Sequence, residues 1–129
     1  MSAIPQLVAE KHEHLTQLEL KRFNANLHAD MIAVSDDEGV SLTEFVKKSM
    51  REIIPRRPGG LTTCDDPNLV RVHLTGFPVD LKKDMIAYAE MEGISLGELV
   101  KRCMLIVLPR RVAQLGFSYK SEYTYSIFR

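Results

Sequence analysis

Apolar residues fall on two periods along this chain, and the change from one period to the other happens twice. In Val70-Arg71-Val72-His73-Leu74-Thr75 apolar and polar residues alternate, the period of a strand with one buried and one exposed face. Thr16-Gln17-Leu18-Glu19-Leu20-Lys21 alternates in the same way with weaker strand formers. Each segment then gives way to a spacing of three and four. Leu27, Met31 and Val34 follow the first, and Leu81, Met85, Tyr88 and Ala89 the second; each set is the apolar stripe of a helix. Asn24 suits the N-cap of the first helix and Pro78 the opening of the second. Both stripes stop at a glycine, Gly39 or Gly93, fitted to the left-handed position past a helix end.

A further helix is predicted after each glycine. Ser41-Leu42-Thr43-Glu44 and Ser95-Leu96-Gly97-Glu98 place serine and glutamate three apart. That is the capping box, which satisfies orphan N–H groups at a helix start. Leu42, Phe45, Val46, Met50, Ile53 and Ile54 line one helix, and Leu96, Leu99, Val100, Cys103, Met104, Val107 and Leu108 the other. Pro55 and Pro109 are expected to end them.

The two halves are copies of each other. Residues 30–57 align with residues 84–111 at a constant offset of 54, without a gap, and share Gly39/Gly93, Ser41/Ser95, Glu44/Glu98 and a whole Pro-Arg-Arg. Two copies are too few for a solenoid, so pairing about a pseudo-two-fold axis is expected. The predicted organisation is an N-terminal extension (1–15), a first unit (16–57), a Pro/Gly/Asp/Asn linker (58–68), a second unit (69–111) and an aromatic C-terminal tail (112–129). The end of that tail, FSYKSEYTYSIFR, reads as a terminal strand or as a disordered segment.

One strand with two short helices cannot bury its apolar faces or pair its backbone alone. Two copies solve both problems. The strands pair antiparallel as a two-stranded ribbon and the four helices close over one face. The fold class expected is therefore mostly α with a two-stranded antiparallel β-ribbon. Leu18, Leu20, Val70, Val72 and Leu74 point inward, and Gln17, Glu19, Lys21, Arg71, His73 and Thr75 outward.

The order strand, helix, Gly, Ser-x-x-Glu, helix resembles the ribbon-helix-helix (MetJ/Arc-type) DNA-binding family. The residues that carry the resemblance are VRVHL at 70–74, the Pro78-Val-Asp-Leu81 opening, DEGVSLTEFVKK at 37–48 and MEGISLGELVKR at 91–102. A tandem version in one chain is similar to TraY-like plasmid-transfer proteins. The resemblance implies a ribbon inserted into the major groove of double-stranded DNA. It makes the outward six the base-reading set. It places Ser41, Leu42 and Thr43, with Ser95, Leu96 and Gly97, on backbone phosphates at helix starts. It further implies a cytoplasmic regulator of bacterial, plasmid or phage origin, most often a transcriptional repressor of its own promoter, with self-association on DNA as an added possibility. Two departures stand out. In strict family register Val72 and Leu74 turn outward, so the hydrophobic alternation requires a one-residue bulge near Gly76. The strands also differ, QLELK against RVHLT, so the preferred site is an imperfect palindrome.

Charge changes the picture slightly. Seventeen basic and seventeen acidic residues cancel, which counts against a nucleic-acid partner without excluding one. Cys103, on an apolar helical face, reads as a buried thiol and Cys64, in the linker, as a free one, in a reducing cytoplasm. The N-terminus has no apolar run of signal-peptide length, and the longest apolar stretch, 104–108, is too short to span a membrane. His12-Glu13-His14 lacks further ligands at useful spacing and Asp36-Asp37-Glu38 reads as a solvated turn, so no metal or cofactor is expected. Lys47, Lys48, Lys101 and Arg102 read as a solvated helix face. The Pro-Arg-Arg motifs serve either flanking phosphates or helix C-termini. Without a phosphate loop or a nucleophile motif, no enzyme is expected. Two other functions fit the pattern. One is a relaxosome accessory factor. The other is a protein-binding module, an antitoxin or inhibitor, favoured by the zero net charge, by Glu19 and by an aromatic tail that offers a partner surface.

Overall fold

The computed structural model describes residues 14–58 and 61–115. The N-terminal extension before His14, with His12 and Glu13, and the tail from residue 116, with its candidate strand and partner surface, lie outside the described residues. The chain runs β1 (Leu15–Asn24), α1 (Ala25–Glu38), α2 (Leu42–Ile53), a 3-10 turn (Ile54–Arg56), β2 (Leu69–Pro78), α3 (Val79–Glu92) and α4 (Leu96–Leu115). It is mostly helical, with one two-stranded antiparallel sheet.

The strands pair around Glu19 opposite His73, flanked by Leu18 with Leu74 and Leu20 with Val72. Glu19 thus faces its own counterpart in the repeat, 54 residues on. Leu18, Leu20, Val72 and Leu74 are buried and Val70 is partly buried against them. The register then slips at two matching places. One extra residue enters β2 between Leu74 and Phe77, and one enters β1 between Leu20 and Phe23. These are bulges centred on Gly76 (φ 70°) and Arg22 (φ 55°), both left-handed. The irregularity expected at Gly76 is there, and it has a twin that the sequence reading did not foresee. Each bulge moves the next apolar residue onto the inner face, so Phe23 and Phe77 are both buried.

Helices α1 and α3 end as their glycines predict. Gly39 and Gly93 are left-handed; Gly39 N–H donates to the Asp36 carbonyl and Val40 N–H to that of Ser35, while Gly93 and Ile94 do the same to Glu90 and Ala89. This is the Schellman pattern, and Val40 and Ile94 pack on the core behind it. The second helices then cross over: α2 packs against β2 and α4 against β1, while α1 and α2 both pack on α4. Neither copy is self-contained. Phe45, Met50, Leu99, Val100 and Met104 from the crossing helices share one core with the strands.

Four details differ from expectation. Asn24 and Pro78 are the last residues of the strands and both occupy N-caps, so Pro78 precedes the helix rather than opening it. Asn24 does not cap with its side chain; its Nδ2 donates to the Cys64 carbonyl 3.3 Å away. The cap comes from the linker instead: Asp66 Oδ2 accepts from Asn26 N–H at 2.9 Å, and Asp66 Oδ1 from Asn68 N–H. Those two N–H bonds hold the Asp66 carboxyl below its ordinary range.

Pro109 does not end its helix; α4 continues to Leu115. Proline there removes the bond to the carbonyl four residues back. Burial of Val107, Leu108 and Val112 around it compensates, as do the ion pairs of Arg111. Pro55 is followed by Pro58-Gly-Gly instead of Val-Ala-Gln, and there the chain tightens into the 3-10 turn and leaves through Arg57 at φ 43°. Lastly, Asp36, Asp37 and Glu38 form the last turn of α1 rather than a loop.

Candidate nucleic-acid interface

Among the described residues no helix covers the outer face of the ribbon. Gln17, Lys21, Arg71, His73 and Thr75 are exposed on it and Glu19 is half-buried at its centre. All six predicted reading residues therefore share one face. Their orientation follows from the pleat: once Leu18, Leu20, Val72 and Leu74 go inward, their neighbours must go outward. Glu19 Oε2 lies 3.1 Å from Arg71 Nε, so the two strands are linked across the face by an ion pair.

The starts of α2 and α4 carry the serine half of the predicted capping boxes. Ser41 Oγ accepts from Glu44 N–H at 3.0 Å, and Ser95 Oγ from Glu98 N–H at 3.1 Å. The glutamate carboxylates are engaged by cations: Glu44 by Lys47 at 2.9 Å, and Glu98 by Lys101 at 2.8 Å and Arg102 at 2.7 Å. Thr63 of the linker also donates to Glu98. Burial pushes the Glu98 carboxyl up, but these hydrogen bonds outweigh it and hold it at about 2. Lys101 is not part of a solvated face. Its side chain is 12% exposed, because Nζ is held by Glu98 and by the Cys64 carbonyl at 3.0 Å.

Gly97 sets how close α4 comes to the ribbon. A Cβ there would lie 3.2 Å from the Lys21 carbonyl oxygen, so any other residue would push the first turn of α4 and β1 a few tenths of an ångström apart. The result is a continuous surface. An open groove of about 700 Å³ runs along the ribbon between Gln17, Glu19, Lys21 and Thr75 and ends at Lys82 and Leu96. A smaller depression of about 300 Å³ continues it past Lys21 and Arg22 to Ser95, Gly97 and Lys101. Lys82 reaches back to the ribbon, donating to the Gln17 carbonyl at 2.8 Å.

Arg22, Lys82 and Lys101 thus border the predicted site without belonging to the predicted set. Arg22 was hidden because a bulge at a non-glycine residue leaves no sequence mark. Its counterpart, Gly76, was the available clue. The second Pro-Arg-Arg lies elsewhere: Arg111 Nη1 donates to both oxygens of Glu38, at 3.0 and 2.9 Å, at the C-terminal end of α1, and Arg110 pairs with Glu52 at 3.3 Å. Arg111 also stacks over Phe45, and Arg57 over Tyr88. The arginines of the second copy are thus engaged by the carboxylates of Glu38 and Glu52.

Among the described residues no group of three or more His, Cys, Asp and Glu side chains is placed to hold a metal ion. No described helix is long and apolar enough to cross a membrane. Among the described residues Cys64 and Cys103 form no disulfide, and burial pushes the Cys103 thiol up to about 12. Comparison with protein-family models, with curated proteins and with solved structures finds no match for this chain.

Proposed function

We propose that this protein is a tandem ribbon-helix-helix pseudo-dimer that binds double-stranded DNA sequence-specifically, laying the outer face of its ribbon in the major groove as a cytoplasmic transcriptional regulator. The observation that carries this reading is the shared outer face: six polar or charged side chains on the side of a two-stranded ribbon that no described helix covers, with a serine-capped helix start packed against its edge. A ribbon of two strands fits the major groove. Lys21 and Arg71 match guanine O6 and N7, Gln17 matches adenine, and Thr75 meets a thymine methyl or a hydrogen-bonding edge. The backbone N–H groups that open α2 and α4, at Ser41-Leu42-Thr43 and Ser95-Leu96-Gly97, suit flanking phosphates. Arg22 and Lys82 add positive charge beside them.

The test is a fluorescence anisotropy titration of the chain against its own upstream DNA and a random duplex over a salt series. The reading expects a specificity ratio of roughly a thousand or more and a salt slope that counts phosphates. Separate alanine substitutions of Lys21, Arg71 and His73 should each weaken the specific complex. A protein-binding role is favoured by one observation, the Glu19 carboxylate at the centre of the face. It gains if neither duplex binds at low salt and a protein partner is retained after nuclease treatment.

A further inference from the structure

We propose that Glu19 and Arg71 act as a single asymmetric reader that gives the ribbon a direction on its DNA. Glu19 is the positioning residue and Arg71 the residue that meets a guanine on one side of the centre. This rests on the DNA-reading function above and deepens it.

The centre of the ribbon is the pair Glu19 and His73. Arg71 stands two residues along from His73 on the same outward face, diagonal to Glu19, and the two side chains meet across the strands at 3.1 Å. On the opposite diagonal the repeat places Gln17 and His73. Glutamine brings no charge, so this carboxylate–guanidinium pair has no equivalent there. The ribbon is therefore polar in its chemistry although its backbone repeats.

The contact uses Arg71 Nε. A guanidinium carries two further nitrogens besides Nε, and two parallel donors are what guanine O6 and N7 accept. The Arg71 side chain is 70% exposed, so packing does not fix it and the carboxylate does. Orienting a long side chain before binding removes an ordering cost from the bound state. Glu19 also acts by repulsion. A carboxylate in the groove opposes phosphates and the acceptor edges of guanine and thymine, and accepts from cytosine N4. It lowers affinity for arbitrary duplexes while raising discrimination among them.

The experiment selects binding sequences from randomised duplexes with the full chain, with Glu19→Gln and with Arg71→Ala. Affinities for the selected and a random duplex follow at one salt concentration. The wild-type chain is expected to recover a guanine on one side of the centre only. Glu19→Gln, close in shape and neutral, should lose about tenfold or more of that preference while binding the random duplex as tightly or more tightly. Arg71→Ala should lose the preference at the same base pair, and the double variant should be no worse there than Arg71→Ala alone. The pair lies at the surface, with Arg71 exposed and Glu19 half-buried, and contributes little to stability, so circular dichroism should show all variants folded. Retention of the full preference by Glu19→Gln overturns the proposal. So does loss of preference at different base pairs by the two variants. A wild-type chain that binds no duplex overturns the DNA-reading function itself.

Discussion

The first and second copies of the repeat share a strand, a Schellman-capped helix and a serine-capped crossing helix, yet they part at the same three residues. After Pro55-Arg-Arg the helix has already tightened into a 3-10 turn and stopped; through Pro109-Arg-Arg it runs on to Leu115. What decides is context. Pro58-Gly-Gly follows the first motif, whereas Val112 follows the second and is buried. Arg111 adds Glu38 and Glu52 as partners, while Arg57 has a tyrosine ring under it. A local helix breaker costs ~3 kcal/mol, an amount that packing and ion pairs on both sides can offset.

Both copies contribute to one core. Leu20 and Leu74 are counterparts, both buried. Either one changed to alanine should cost roughly 2–5 kcal/mol and shift a single cooperative transition in urea, followed by circular dichroism. Two separate transitions would break the shared-core description.

Next comes the asymmetry of the arginines. The Arg111 side chain is 14% exposed and grips Glu38, so Arg111→Ala should cost about 2 kcal/mol by leaving that carboxylate unpaired. Arg57→Ala, at the matching and exposed position, should cost under about 1 kcal/mol. Equal losses in the same urea titration would erase the distinction.

The bulges offer a finer test. Gly76 has open space around a would-be Cβ but a left-handed backbone. Gly76→Ala should therefore cost roughly 1 kcal/mol through backbone strain alone. Arg22 already carries such strain, and Arg22→Gly should be neutral or stabilising by up to about 1 kcal/mol in thermal unfolding.

The smallest effect is electrostatic. Glu98 has its folded-state carboxyl lowered from 4.5 to about 2. Its contribution is therefore full above the unfolded value and is lost as pH falls from there through the folded value. After screening at a partly exposed site it amounts to roughly 1 kcal/mol. The stability gap between wild type and Glu98→Gln should be largest near neutral pH and close as pH 2 is approached.

Most of the architecture was legible because it follows from periodicity. Alternation fixed which face of Val70–Thr75 turns inward, and the mismatch between that alternation and Pro78 exposed the bulge at Gly76. The matching bulge escaped notice because Arg22 is not a residue that advertises a positive φ. The crossing of α2 onto β2 and of α4 onto β1 is a long-range choice that no local pattern encodes. The Asp66 cap was equally invisible, since the residue lies 40 positions from the N–H it serves. Among the site residues, the outward six were legible from the pleat. Lys82 and Lys101 were not, because helical spacing says which face a lysine is on but not which backbone carbonyl it reaches.

Both strands of the ribbon belong to one polypeptide, and that alters how such a surface evolves. In a homodimer every substitution is made twice, so a change that improves one edge of the surface is forced on the other. Here a change at Gln17 leaves Arg71 untouched, and a change at Glu19 leaves His73 as it was. Each strand can drift, specialise or be repaired independently. QLELK and RVHLT share one residue in five, whereas residues 25–38 and 42–53 share 6 of 14 and 5 of 12 with their counterparts, so the strands differ more than the helices do.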